Sequence, residues 1–353
     1  MYEKDPLSAL DAITEAQRIA FAPMLFQTAL CLRNSGVLAF LDRQGKAGAT
    51  LNEITENSDL NEYAVSVLLD MGLSGRILTQ QGDNYYLARV GHFLLHDTMT
   101  RVNMDFTQHV CYQGLFFLEA SLKAQRPSGL KVFGEWPTIY PALSQLPQAA
   151  RESWFAFDHY YSDTAFDAAL PYIFASRPAT LYDVGGNTGK WALRCCQYDK
   201  NIAVMLLDLP EQIALARESV EKAGLSHRID FYPVDMLSDK PLPDEADIWW
   251  MSQFLDCFSP GQIITLLRNV ARAMKPGAKL CIMELFWDAQ KFEAASFSLN
   301  ATSLYFTCMA NGNSRFYSVG KFYHYLDKAG FQVTQRHDNL GIGHTLLICE
   351  KKV

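Results

Sequence analysis

Three acidic residues recur at the same ends of successive apolar runs in the second half of the 353-residue chain. The first run, Leu181-Tyr182-Asp183-Val184, passes into Gly185-Gly186-Asn187-Thr188-Gly189-Lys190, which reads as a strand, a glycine-rich turn and the start of a helix. Such a turn lets backbone approach a ligand closely, and the helix N–H groups face that ligand. The dinucleotide pattern G-x-G-x-x-G is not met, because Asn187 stands where the second glycine belongs. Asp183 at the mouth would repel a pyrophosphate and suit a cationic amino-acid tail. The second run ends Leu206-Leu207-Asp208-Leu209-Pro210, where an acid can accept both hydroxyls of a ribose. The third ends Val234-Asp235-Met236, suited to the edge and face of an adenine.

These residues need strands to carry them. After Pro178 short apolar runs alternate with amphipathic helices, as βα units require. The spacing predicts strands over 181–184, 202–207, 229–234, 248–253 and 280–285, with a final pair near 332–336 and 345–350. Helices are expected over 190–198, 212–223, 262–274 and 320–329, the third closed by Lys275-Pro276-Gly277. An open α/β sheet of this kind binds ligands beyond the carboxyl ends of its strands. Earlier in the chain, apolar residues from Leu7 to Phe40 recur at helical spacing with a wide apolar face, one that a partner can cover. A helix-turn-helix pattern and two short strands around Gly82-Asp83 then spell a winged helix. The expected division is a helical winged-helix dimerisation domain over 1–100, a helical linker and lid over 101–175, and a Rossmann-like domain over 176–353, an α/β fold class throughout the C-terminal half.

Composition narrows the function. Lys and Arg total 31 against 38 Asp and Glu, a formal charge of −7, so the molecule should repel phosphate backbones. The would-be recognition helix from Asn61 to Met71 carries Glu62 and Asp70 and no Lys or Arg, which argues against reading DNA. Eight scattered cysteines form no CxxC pair and no Cys/His cluster at zinc spacing, so no metal is expected and reduced thiols are. No apolar stretch reaches the ~18 residues of a membrane span, and the N-terminus lacks a basic segment followed by an apolar one. A cytoplasmic protein with neither nucleic-acid nor membrane partners is the expectation.

With Asp183 to Gly189, Asp208-Leu209-Pro210, Asp235-Met236, Met274 to Gly277 and Asn311-Gly312-Asn313-Ser314-Arg315, the chain resembles the class I S-adenosylmethionine-dependent O-methyltransferases of the plant caffeate/flavonoid type and their bacterial polyketide and hydroxyindole relatives. The resemblance implies S-adenosyl-L-methionine as cofactor, with the glycine turn on its methionine part, Asp208 on the ribose, and Asp235 and Met236 on the adenine. Asp183, Gly185, Gly186, Gly189, Asp208, Leu209, Asp235, Met236, Gln253 and Tyr161 make up the implied cofactor set. It also implies homodimers whose intertwined N-terminal helices close the partner's pocket for a small-molecule acceptor.

The pattern breaks where the chemistry is sharpest. The family places a His-Asp-Trp segment after the fourth strand, and that histidine takes the proton from the acceptor hydroxyl. Here the stretch is Ser252-Gln253-Phe254-Leu255-Asp256-Cys257-Phe258, with Asp256 at the histidine position. Glu284 matches an acid that orients the histidine, whereas Ser314 replaces the second such acid and Ser252 a common lysine. A carboxylate near pKa ~3.9 is a weaker base than imidazole near ~6.5, and apolar neighbours such as Leu255 and Phe258 would have to raise it. Two carboxylates in one cleft leave one protonated near neutrality, so Asp256 and Glu284 form a candidate base and acid pair. His109, His159 and His344 are other candidate bases. Methyl transfer tolerates a modest base, because the sulfonium is already activated and placement supplies much of the acceleration. Phe106, Phe117, Trp154, Tyr160, Tyr161, Phe297, Tyr305 and Met309 are expected to face the cleft and to suit a planar aromatic acceptor. The competing readings are a cofactor-binding protein of this fold that is not a methyltransferase, whether a repurposed enzyme or a ligand-binding regulator.

Overall fold

The computed structural model describes Tyr2 and residues 4–352, which divide into two compact units, one up to Thr107 and one from Gln108 onward. The segment expected as a separate linker and lid thus belongs mostly to the second unit.

The first unit opens with helices α1 (Ala9–Ala20), α2 (Ala22–Asn34) and α3 (Val37–Gln44). No residue of α1 is buried, and Leu10, Ile13, Ile19 and Met24 expose large apolar side chains, an unpartnered face of the kind the sequence predicts. A three-stranded antiparallel sheet follows in the order β1 (Ala49–Thr50), β3 (Asn84–Leu87), β2 (Leu78–Gln81). Between its strands lie α4 (Leu51–Glu56) and α5 (Glu62–Ser74). Thr50 and Glu53 form a capping box that starts α4, and Asn61 caps α5. The winged-helix expectation is met. Helices α6 (Arg89–His96) and α7 (Thr98–Phe106) complete the unit.

In the second unit, α8 (Leu118–Ala124), α9 (Gln148–Asp163) and α10 (Phe166–Phe174) precede the sheet. Strands β4 (Thr180–Val184), β5 (Ala203–Asp208), β6 (Ile229–Pro233), β7 (Ile248–Ser252), β8 (Lys279–Glu284), β9 (Phe331–Leu340) and β10 (His344–Lys351) form one sheet in the order 6-5-4-7-8-10-9. All neighbours pair in parallel except β10, which runs antiparallel between β8 and β9. The connecting helices are α11 (Lys190–Tyr198), α12 (Pro210–Lys222), α13 (Pro260–Ala273), α14 (Glu293–Tyr305) and α15 (Val319–Lys328). Each strand lies within a few residues of its expected position, and α11 has the expected bounds.

Strand alternation buries both faces. Tyr182, Trp249, Leu280 and Leu347 pack with α13 and α15, whereas Leu181, Trp250, Cys281 and Leu346 pack with α10 and α11. Trp191 of α11 stacks on Trp250 at 4.0 Å between ring centroids. The strand order reverses between β4 and β7, so the crevice lies past Val184 and Ser252.

Candidate functional site

The turn after β4 needs its glycines. Gly185 has φ +72° and Gly189 φ +81°, and a Cβ on Gly185 would stand 2.2 Å from the Phe254 ring. A Cβ on Gly186 would stand 2.6 Å from Asp183 Oδ2. Asp183 itself is 2% exposed, and its Oδ2 has no hydrogen-bond partner. Burial, with Asp208 nearby, pushes its carboxyl up to about 8. A buried carboxyl with one oxygen unpartnered, beside a floor without side chains, fits the cationic amino-acid end of the implied cofactor.

Asp208 closes β5 and accepts from the backbone N–H groups of Asn187 (2.9 Å) and Leu209 (2.7 Å). Burial raises it to about 6, against those two bonds. Asp208 therefore ties the turn after β4 to the end of β5, and its remaining lone pairs are what a ribose could use. Asp235 is exposed, with Oδ1 held by the Leu237 N–H at 2.9 Å, and Met236 lies in the core beside Val234 and Val184. Gln253 takes a positive φ of 45°, a strained bend for a non-glycine residue, and its Oε1 is buried without a partner. Gln253 and Ser252 line an open cleft together with Asp183, Gly185, Gly186 and Asn187. Tyr161 is buried in α9, packed on Phe157 at 4.7 Å and Tyr160 at 5.5 Å.

Sequence reading missed Asp158. It lines the same cleft from α9 and accepts from Asn187 Nδ2 at 3.1 Å. Burial and Asp163 raise it to about 7. Nothing local marks it, since its partner lies 29 residues away. Lys190 and Asp163 form an ion pair close by.

Beyond β7 a short helical turn, 255–257, carries Asp256, which is 4% exposed. Burial pushes it up to about 7; the Cys257 thiol donates toward Oδ1 at 3.5 Å and lowers it, and the charge of Asp158 raises it. Glu284, at the end of β8, holds this turn. Its Oε1 accepts from the N–H groups of Leu255 (2.9 Å) and Phe254 (3.2 Å), while Oε2 is buried without a partner. Burial and then Asp256 drive Glu284 well above the ordinary carboxyl range. From the other side Asn311 donates to the Cys257 carbonyl, and Ser314 Oγ donates to Asn311 Oδ1 at 2.9 Å. The residue at the second acid's position thus supports the same turn through Asn311.

The three histidines separate. His344 is fully buried, and burial lowers it to about 4 against a backbone bond to Leu340 that raises it. His109 is exposed. His159 lines the cofactor cleft within 4.0 Å of Asp158, and burial and Lys190 lower it.

Of the expected aromatic wall, Trp154 Nε1 donates to the Tyr305 hydroxyl at 2.6 Å, both side chains buried. Met309 is fully buried in a π turn, 306–310, over Gly114, where a Cβ would lie 1.9 Å from its sulfur. Phe106 belongs to the first unit, where it is buried. Phe117 packs under Lys131. Phe297 is a correction: it is 71% exposed. Helix α14 buries Ser296, Leu299, Ser303 and Tyr305 and turns Phe297 and Leu304 outward. The inversion is possible because Ser303 Oγ donates to Leu299 O and accepts from the Phe316 N–H, so its burial leaves no unmade bond.

Residues 164–332 match the family described as the O-methyltransferase domain, and residues 14–85 match the Dimerisation2-like domain. The chain is 26% identical over 315 residues to an L-tyrosine C(3)-methyltransferase of Streptomyces lavendulae, covering 87% of this chain and 85% of that protein. It is 25% identical over 350 residues to the N,N-dimethyltransferase OxyT of Streptomyces rimosus, covering 97% and 98%. The apo structure of the S-adenosylmethionine-dependent methyltransferase SibL shares the fold, with a TM-score of 0.73, 22% identity, and coverage of 95% and 98%.

Proposed function

Since the chain belongs to the S-adenosylmethionine-dependent methyltransferases that join an O-methyltransferase domain to a dimerisation domain, we propose that it methylates an oxygen of a small aromatic or polyketide-like acceptor and that Asp256 takes the acceptor's proton. The observation that carries this reading is the buried pair Asp256 and Glu284, two carboxyls both raised by burial, with Glu284 Oε1 holding the turn that carries Asp256. Glu284 keeps its proton, and its Oε1 fixes the backbone of the turn. Asp256, near 7, is the member that can lose a proton to solvent and accept one from a hydroxyl. When bound, the cofactor supplies the methyl group on a positively charged sulfur. Asp183 and the glycine turn orient its amino-acid end, and Asn187 links that turn to Asp158, whose charge bears on Asp256. Asp256 would hold the acceptor's hydroxyl proton while the methyl group left the sulfonium, its carbon–sulfur bond electrons staying on a neutral thioether, for the acceptor oxygen. The exposed apolar side chains of α1 supply the surface for a second copy of the chain.

Relatives named for carbon and nitrogen methylation make the atom that is methylated the point to test. Incubation with methyl-labelled cofactor and a panel of phenols, enols, aromatic acids and aromatic amines, with products read by NMR, is expected to give a methyl ether or ester. A methyl group found only on ring carbon or nitrogen overturns the oxygen assignment. Asp256→Asn is expected to slow turnover by about 100-fold or more, the lower range for loss of a general base, with cofactor affinity unchanged.

A further inference from the structure

The first unit carries a cluster that methyl transfer does not use. His92 and His96 stand one turn apart on α6, so both rings leave the same face of the helix. Their centroids are 4.6 Å apart. Asp42 of α3 reaches between them, with Oδ2 2.9 Å from His96 Nε2 and Oδ1 3.7 Å from His92 Nδ1. One donor atom from each residue lies within 4.8 Å of the other two.

We infer that Asp42, His92 and His96 form a binding site for one divalent transition-metal ion of the zinc type. Two imidazoles and one carboxylate are a donor set for zinc, cobalt or nickel, whereas magnesium and calcium require oxygen-rich shells. Ligands about 2.0–2.2 Å from zinc sit roughly 3.3 Å apart around a tetrahedral ion, so the cluster needs adjustments well under a side-chain rotation. All three side chains are at least one-third exposed, which leaves them room to adjust and leaves a fourth position for water. On binding, the ion takes the place of the His96–Asp42 hydrogen bond and pins α6 to α3, clamping the two helices that flank the small sheet in sequence. None of its three residues lines the cleft past β4 and β7.

The test uses the full chain without a polyhistidine tag. Equilibrium dialysis against Zn2+ is expected to leave one ion per chain, and Co2+ to give d–d absorption with no thiolate charge-transfer band, which separates this site from the exposed Cys31. The double variant His92→Ala/His96→Ala is expected to bind more than about 100-fold more weakly, beyond the usual cost of losing an outer-shell partner, while circular dichroism and methyl transfer are unchanged. Asp42→Asn, which keeps the side chain's shape, is expected to weaken binding less. Wild type that retains no ion, a double variant that binds as wild type does, or a thiolate band each overturn the inference. So does a thermal midpoint that Zn2+ leaves unmoved, because an ion bound to the folded cluster must raise it.

Discussion

On the proposed reading, the cofactor end and the acceptor end of the site are built from different material. Past β4 the chemistry resides in backbone: two glycines that exclude side chains, N–H groups held on Asp208, and one buried carboxyl, Asp183. Past β7 it resides in single side chains, Asp256 and Glu284, on a turn whose backbone Glu284 and Asn311 hold in place. A backbone site has no near substitutes, whereas a side chain on a held turn can be exchanged with its frame intact. That difference accounts for a chain that keeps the family's glycine turn and acid-ended strands yet carries Asp256 where the family carries histidine.

The largest effect should come from breaking the backbone site. Gly185→Ala adds a methyl group 2.2 Å from the Phe254 ring at a φ that side chains rarely adopt. We expect cofactor binding to fall below detection by calorimetry, with overpacking destabilising the fold by about 1–3 kcal/mol. Wild-type affinity in this variant would show that the turn does not contact the cofactor. Asp183→Asn comes next. It keeps the shape but removes the charge that pairs with a cationic tail, and the expected loss is about 100-fold in cofactor affinity, in the range for breaking a buried charge pair. Turnover at saturating cofactor should change far less, the reverse of the pattern expected for Asp256→Asn. If both variants alter affinity and turnover alike, the two ends do not divide the work.

Much of the backbone site is legible in the sequence, because apolar runs of strand length, glycines with positive φ and Pro-Gly helix endings leave local marks. Helix α11 could be bounded to the residue since Gly189 and Asp199 flank an unbroken amphipathic stretch. The acceptor end was legible only in part. Asp256 and Glu284 lie in recognisable places, but Asp158 and Asn311 act through partners 29 and 54 residues away, and no local pattern encodes such contacts. Helix α14 misled for a related reason: its serines satisfy their bonds internally, so the apolar stripe through Phe297 faces outward. Likewise His92 and His96 show helical spacing, whereas Asp42, 54 residues before His96, is supplied by the fold.

A finer contrast between the ends concerns protons. Asp183 sits near 8 in the cofactor-free protein, so below that pH it is mostly neutral and must lose its proton to pair with a cation. Cofactor binding should therefore strengthen as pH rises from 6 to 8 and release a proton, measurable as a dependence of the calorimetric heat on the buffer's ionisation enthalpy. Asp183→Asn should remove that dependence, while Asp256→Asn should leave it and instead remove a step near pH 7 in the turnover profile.

The smallest effect follows from the same raised values through linkage to folding. Asp183, Asp256 and Asp208 stand near 8, 7 and 6, all above the ordinary 3.8. For acids raised in the folded state, the stability they permit is complete below the unfolded pKa and is lost as pH rises through the folded values. These three groups should thus lower the thermal midpoint of the cofactor-free protein as pH rises from about 4, the Asp208 part ending near pH 6, the Asp256 part near 7 and the Asp183 part near 8. The slope should flatten in Asp183→Asn from about pH 4 up to 8 and in Asp256→Asn only up to about 7, so that between 7 and 8 the slope of the Asp183 variant alone differs from wild type. Saturating cofactor should flatten the Asp183 part alone, because a cation beside that carboxylate removes the penalty for ionising it while leaving Asp256 as it was. Midpoints followed across this range, with and without cofactor, test whether the cleft's two ends are separate in their protonation as well as in their construction; an equal response at both ends would mean that Asp158, placed between them by Asn187, joins them into one titrating unit.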